Sequence, residues 1–110
     1  MLVQNIAVIG AGIMGRGVAQ VAAATGYDVY LMSRQEKTLR KAMDVIHSNL
    51  EKDVSRERIN DEEAASIIGR INITTDLGQA AGAADLVIEN VPEILETKHQ
   101  VFRQLDEICP

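Results

Sequence analysis

The sequence predicts an α/β fold, a parallel sheet with helices on both faces, and three observations carry that prediction. Short β-branched runs alternate along the chain with longer stretches of helical periodicity. Hydrophobic residues make up 46% of the chain and aromatic ones 3%, an Ala, Val, Ile and Leu mixture that suits helices laid on a buried sheet. Turn or cap residues punctuate the segments, with Gly10 and Gly26 the clearest. Such alternation means parallel strands joined by right-handed crossovers.

Taken in order, Asn5 to Ile9 reads as a buried first strand ending at Gly10. Met14 to Thr25 reads as a helix with Met14, Val18, Val21 and Ala22 on its inner face, stopped by Gly26. Val29 to Met32 is the second strand. Ser33 then caps a long helix, Gln35 to about Val54, whose Leu39, Ala42, Met43, Ile46 and Leu50 recur at helical spacing. Asn60 or Asp61 caps a short helix carrying Ala64, Ala65 and Ile68 inward, and Ile71 to Thr74 is the third strand. A brief helix from Leu77 to Ala81 leads to a fourth buried strand, Asp85 to Glu89. A last amphipathic helix is expected over Ile94 to Ile108. The expected spatial order of strands is 3-2-1-4.

At 110 residues the chain is read as one domain, 1–110, large enough for a core without disulfides. The net charge of -5 and the scarcity of aromatic residues argue against a nucleic-acid surface. The one cysteine, Cys109, has no partner for an internal disulfide, and no leader-like stretch opens the sequence, so a cytoplasmic setting is expected. Apolar runs fall well short of the roughly 18 residues of a membrane span.

Gly10-Ala11-Gly12-Ile13-Met14-Gly15 spells G-x-G-x-x-G. The motif alone is weak, but it directly follows a strand and opens a helix, the setting its mechanism requires. Gly10 permits the tight turn, Gly12 removes a side chain that would block a diphosphate, and Gly15 lets the helix approach the sheet. The helix-start amides and dipole then favour that anion. The unit is therefore expected to be a Rossmann-type dinucleotide site rather than a strand-to-helix turn with incidental glycines.

About 20 residues past this loop such folds place a carboxylate for the ribose hydroxyls of NAD. Here stand Ser33 and Arg34, with Lys37 and Arg40 following on the next helix. Serine and an arginine fork suit a 2'-phosphate, which a carboxylate would repel. At roughly 1.5 to 3 kcal/mol per hydrogen bond to a charged group, two such bonds would shift preference a hundredfold or so. NADP is therefore expected over NAD. The alternative is that Arg34 merely heads its helix and NAD binds without its usual partner.

Residues 8 to 23, Val-Ile-Gly-Ala-Gly-Ile-Met-Gly-Arg-Gly-Val-Ala-Gln-Val-Ala-Ala, with Thr-Thr-Asp-Leu (74 to 77), Ala-Asp-Leu-Val-Ile-Glu (84 to 89) and Val-Pro-Glu (91 to 93), resemble the L-3-hydroxyacyl-CoA dehydrogenase family. The spacing of Glu89, Glu93 and Lys98 is the most specific part. The resemblance implies an oxidoreductase of fatty acid metabolism that converts (S)-3-hydroxyacyl-CoA to 3-ketoacyl-CoA, with Glu93 and Lys98 beside the nicotinamide. It further implies an acyl-CoA substrate contacted near Asn49 and Arg56, and a homo-oligomer. Two departures stand out, Ser33 in place of the family's Asp and Asn90 in place of its small alanine.

The family's catalytic Ser segment, His and orienting Glu match nothing in this sequence, so no catalytic residue is assigned and the chain is expected to be inactive alone. His47, His99 and Cys109 lack any catalytic motif around them. Two other readings remain open. One is an NADP-dependent hydroxyacid dehydrogenase of the 3-hydroxyisobutyrate or 6-phosphogluconate type, against which the Glu-x-x-x-Glu-x-x-x-x-Lys block argues. The other is a non-catalytic dinucleotide-sensing module.

Overall fold

A computed structural model describes residues 3–89 of the chain. Its elements are β1 (Asn5–Ile9), α1 (Ile13–Thr25), β2 (Asp28–Met32), α2 (Glu36–Ser55), α3 (Asp61–Gly69), β3 (Ile71–Thr74), α4 (Leu77–Ala81) and β4 (Leu86–Glu89). All strand pairs are parallel, and the sheet order is β3-β2-β1-β4, the expected one. The helix expected over residues 94–108 lies outside the described residues.

Strand periodicity sorts the core into two layers. Ile6, Val8, Val29, Leu31 and Ile71 face α1, α2 and α3, where they meet Ala19, Ala23, Leu39, Ile46 and Ile67. Ala7, Ile9 and Met32 face the other way, onto Leu77 and Ala80 of α4. The expected inward stripe of α2 is present, with Leu39, Ala42, Ile46 and Leu50 buried and Met43 partly so.

The inner face of α1 differs from expectation. Met14 and Val21 are 72% and 67% exposed, and the buried residues are Gly15, Ala19, Ala22 and Ala23. Ala22 is buried as expected and Val18 packs partly buried against the core, whereas Met14 and Val21 are turned out and the close contacts with the sheet are left to Gly15, Ala19 and Ala23. Similarly, α3 buries Ile67 rather than Ala65, which is exposed.

Two further expectations are corrected. Ser33 does not cap α2: Gln35 holds the N-cap position, and the Ser33 hydroxyl accepts from the Gln35 amide at 3.3 Å, ordering the turn before the helix. β4 is not buried. Leu86 is 46% exposed and the rest half-buried, and β4 is the edge of the sheet among the described residues.

Helix ends follow the sequence closely. Gly26, at φ 114, ends α1 by donating its amide to Ala22 and Ala23 carbonyls, a left-handed stop that suits a residue without Cβ. Asn60 caps α3 by accepting from the Glu63 amide at 2.8 Å, and Asp61, Glu62 and Glu63 line the positive end of that helix. Asp76 caps α4 through the Gly78 and Gln79 amides.

Candidate dinucleotide-binding site

The strand order reverses between β1 and β4, so a crevice opens beyond their carboxyl ends, at Ile9 and Glu89. The turn from Gly10 to Gly15 forms one wall. Gly10 adopts φ 100, a region open to glycine at no cost, and its amide donates to the Met32 carbonyl at 2.7 Å. That bond ties the turn to the end of β2. The Arg16 amide makes the first helical bond, to the Gly12 carbonyl at 2.9 Å. The amides of Ile13, Met14 and Gly15 precede that bond and find no acceptor among the described residues.

The glycines differ in what demands them. A Cβ on Gly15 would stand 1.7 Å from the Gly10 carbonyl oxygen, so the chain itself excludes any side chain there. A Cβ on Gly12 would meet nothing within 4 Å, and Gly12 has an ordinary extended backbone at φ -72. Nothing internal requires glycine at position 12. An anion seated over the open amides would need that position free of a side chain, and a diphosphate suits both the space and the donors. Ile13 and Met14, exposed at 77% and 72%, stand beside those amides.

Ser33 and Arg34 follow directly on β2, and the Ser33 amide donates to the Thr74 carbonyl at 3.2 Å. No carboxylate occupies the end of β2, which closes with Tyr30, Leu31 and Met32. Between the glycine turn and the first turns of α2 lies a cleft of about 330 Å³, lined by Ala11, Gly12, Ile13, Arg16, Gln35, Lys37, Thr38 and Lys41. Arg40 lies outside that lining. Its guanidinium holds Glu36 at 2.7 Å, one turn back along the exposed face of α2.

Arg16, Thr38 and Lys41 were thus missed by sequence reasoning. Lys41 carried a signal, since it lies four residues after Lys37 and shares its helix face. Arg16 had none short of the fold, because only tertiary packing brings α1 and α2 to one cleft.

Other expected residues are scattered. Asn49 donates to the side-chain oxygen of Gln20 at 3.0 Å, tying α2 to α1. Arg56 is the C-cap of α2, about 30 Å along a 20-residue helix from the end that borders the cleft. The two therefore stand away from the glycine turn. Glu93, Lys98 and Asn90 lie outside the described residues, as do His99 and Cys109. His47 is exposed on α2. Glu89 closes β4 opposite Ile9, with its Oε2 buried and without a hydrogen-bond partner among the described residues.

No helix among the described residues is long and apolar enough to cross a membrane.

Comparison with known proteins agrees with this geometry. Residues 5–110 match the family model of the 3-hydroxyacyl-CoA dehydrogenase NAD binding domain. The chain is 44% identical over 108 residues to the 3-hydroxyadipyl-CoA dehydrogenase of Escherichia coli, covering 98% of this chain and 22% of that protein. It is 36% identical over 114 residues to the mitochondrial hydroxyacyl-coenzyme A dehydrogenase of Sus scrofa, covering 99% and 36%. A crystal structure of 3-hydroxybutyryl-CoA dehydrogenase from Escherichia coli superimposes with a TM-score of 0.94 at 43% identity, over 100% of this chain and 23% of that one. The chain thus spans well under half the length of the relatives it matches. With the glycine turn, the sheet order and this match in agreement, the chain belongs to the 3-hydroxyacyl-CoA dehydrogenase family, within its NAD-binding domain.

Proposed function

We propose that this chain is the dinucleotide-binding part of an oxidoreductase that interconverts (S)-3-hydroxyacyl-CoA and 3-ketoacyl-CoA, with NADP(H) preferred over NAD(H). The observation that carries the binding reading is Gly12, a glycine with no internal reason beside three open amides. A bound nicotinamide would supply the hydride acceptor or donor. The chain's own part is to seat the diphosphate on the Ile13, Met14 and Gly15 amides, and to hold the ring end near the carboxyl ends of β1 and β4. Gly10 and Ala11 shape the turn. Glu93 and Lys98 are proposed for the nicotinamide end, a reading that the family resemblance supports. Asn49 and Arg56 remain the candidates for CoA contact on the same ground, though Asn49 is engaged by Gln20.

The absence of a carboxylate after β2, with Ser33 and Arg34 in its place, supports NADP(H). The substrate class rests on the 3-hydroxyacyl-CoA names shared by the relatives, and a cytoplasmic setting on the bacterial ones. No general base is assigned to this chain. Calorimetric titration of the chain with NADPH and NADH tests the reading: saturable binding of NADPH, abolished in Gly12→Ala, is expected. A folded chain that binds neither dinucleotide would overturn it.

A further inference from the structure

We infer that the cleft between the glycine turn and α2 is the seat of the phosphomonoester on the adenosine ribose, and that Lys37 and Lys41, faced by Arg16, determine the choice of NADP(H). This rests on the proposed dinucleotide site and names the residues that set its specificity. The cleft begins at Ala11, Gly12 and Ile13, where the diphosphate is proposed to lie, and ends on the first turns of α2. Those turns follow β2, the strand beside which this fold carries the adenosine ribose. A group one ribose away from the diphosphate falls within it.

The lining decides which group. It holds three cations, Arg16, Lys37 and Lys41, together with the Thr38 hydroxyl and the Gln35 amide, and not one carboxylate. A bare ribose hydroxyl pair is a donor and wants a carboxylate acceptor, which the lining does not offer. A phosphomonoester carries about -1.5 to -2 charge at pH 7 and three acceptor oxygens, the complement of what lines the cleft. Glu36, the carboxylate next to Lys37 in the chain, is outside the lining and is held by Arg40 at 2.7 Å, and no ion pair engages Arg16, Lys37 or Lys41 among the described residues. Lys37 and Lys41 lie one turn apart on a single helix face, while Arg16 comes from α1, so the charge is gathered from two elements. Of the two basic residues that follow Ser33 and Arg34 on α2, Lys37 lines the cleft, whereas Arg40 lies outside it, paired with Glu36.

The experiment is titration of the chain and three variants, Lys37→Met, Lys41→Met and Arg40→Met, with NADPH and with NADH. All three positions are exposed on α2, so the fold tolerates each change, and circular dichroism verifies it. Lys37→Met and Lys41→Met are each expected to weaken NADPH about tenfold, the loss of one charge-assisted hydrogen bond, while leaving NADH within about twofold. Arg40→Met, with the same net charge change, is expected to leave both within about twofold. Adenosine 2',5'-bisphosphate should compete better than 5'-AMP with the unmodified chain and lose that advantage in Lys41→Met. Equal weakening of both dinucleotides by the lysine variants would assign the cations to the diphosphate and overturn the inference. So would an Arg40→Met loss as large as that of Lys41→Met, or no loss at either lysine. If the unmodified chain bound neither dinucleotide, the proposed site itself would fail, a result distinct from all of these.

Discussion

Gly12 and Gly15, three positions apart in one turn, obey different constraints, and substitution separates them. Gly15→Ala drives a methyl into the Gly10 carbonyl, which neither backbone can yield to cheaply. A loss of about 3 kcal/mol in unfolding free energy, at the upper end of overpacking costs, is expected from chemical denaturation. Gly12→Ala meets no such obstacle; it should cost no more than the poorer N-cap, about 1 kcal/mol, well below Gly15→Ala, while dinucleotide affinity disappears. Asp85 gives a pH test at the same scale. Its carboxylate accepts from the Gln4 amide at 2.9 Å and the Asn5 amide at 3.0 Å, and these two bonds lower its pKa below the usual aspartate value. A depressed folded-state pKa means stability that is fully present above the unfolded value, about 4, and lost as the pH falls through the folded one. Asp85→Asn should therefore be less stable than the parent at pH 7, with the difference shrinking in denaturant titrations as the pH falls below the unfolded aspartate value. The Gly-rich motif was legible in the sequence because its residues are contiguous. The unequal reasons for its glycines were not, since only coordinates show what a Cβ would touch.

Helices and strands were legible nearly to the residue, for local reasons. Gly26 stops α1 and Asn60 starts α3 through bonds that span a few residues and need no distant partner. Asn60→Ala should cost about 1 kcal/mol, a melting shift of roughly 4–8 °C for a domain of this size, and Asn60→Asp should recover most of it. What local reasoning misread was part of the inner face of α1: Val18 and Ala22 turn inward as expected, Met14 and Val21 do not. Hydrophobic size pointed to Met14 and Val21, but close approach to the sheet selects Gly15, Ala19, Ala22 and Ala23. A further tie is equally non-local: the Arg70 guanidinium donates to the Ala23 carbonyl at 2.8 Å, at the negative end of α1. Arg70→Met should loosen the α1 terminus, visible as faster amide exchange at Gly26 and Tyr27, which bond to the same last turn.

At the level of the molecule, parallel pairing of β1 with both β2 and β4 creates the crevice that the proposed function needs. The chain alone should bind dinucleotide and show no oxidation of 3-hydroxybutyryl-CoA in a spectrophotometric assay; measurable turnover would contradict the division of labour proposed above. β4 leaves Leu86 exposed, and Leu86→Lys should lower any concentration-dependent self-association seen by light scattering. By itself the sequence determined the alternation of strands and helices, their order in the sheet, the glycine turn and the family, because periodicity, caps and contiguous motifs act over a few residues. Tertiary structure alone decided that Arg16 faces Lys37 and Lys41 across a cleft, that Arg40 is drawn away by Glu36, and that Asn49 is spent on Gln20. Those outcomes depend on how α1 and α2 are set against each other on the sheet, a distance that no local pattern encodes.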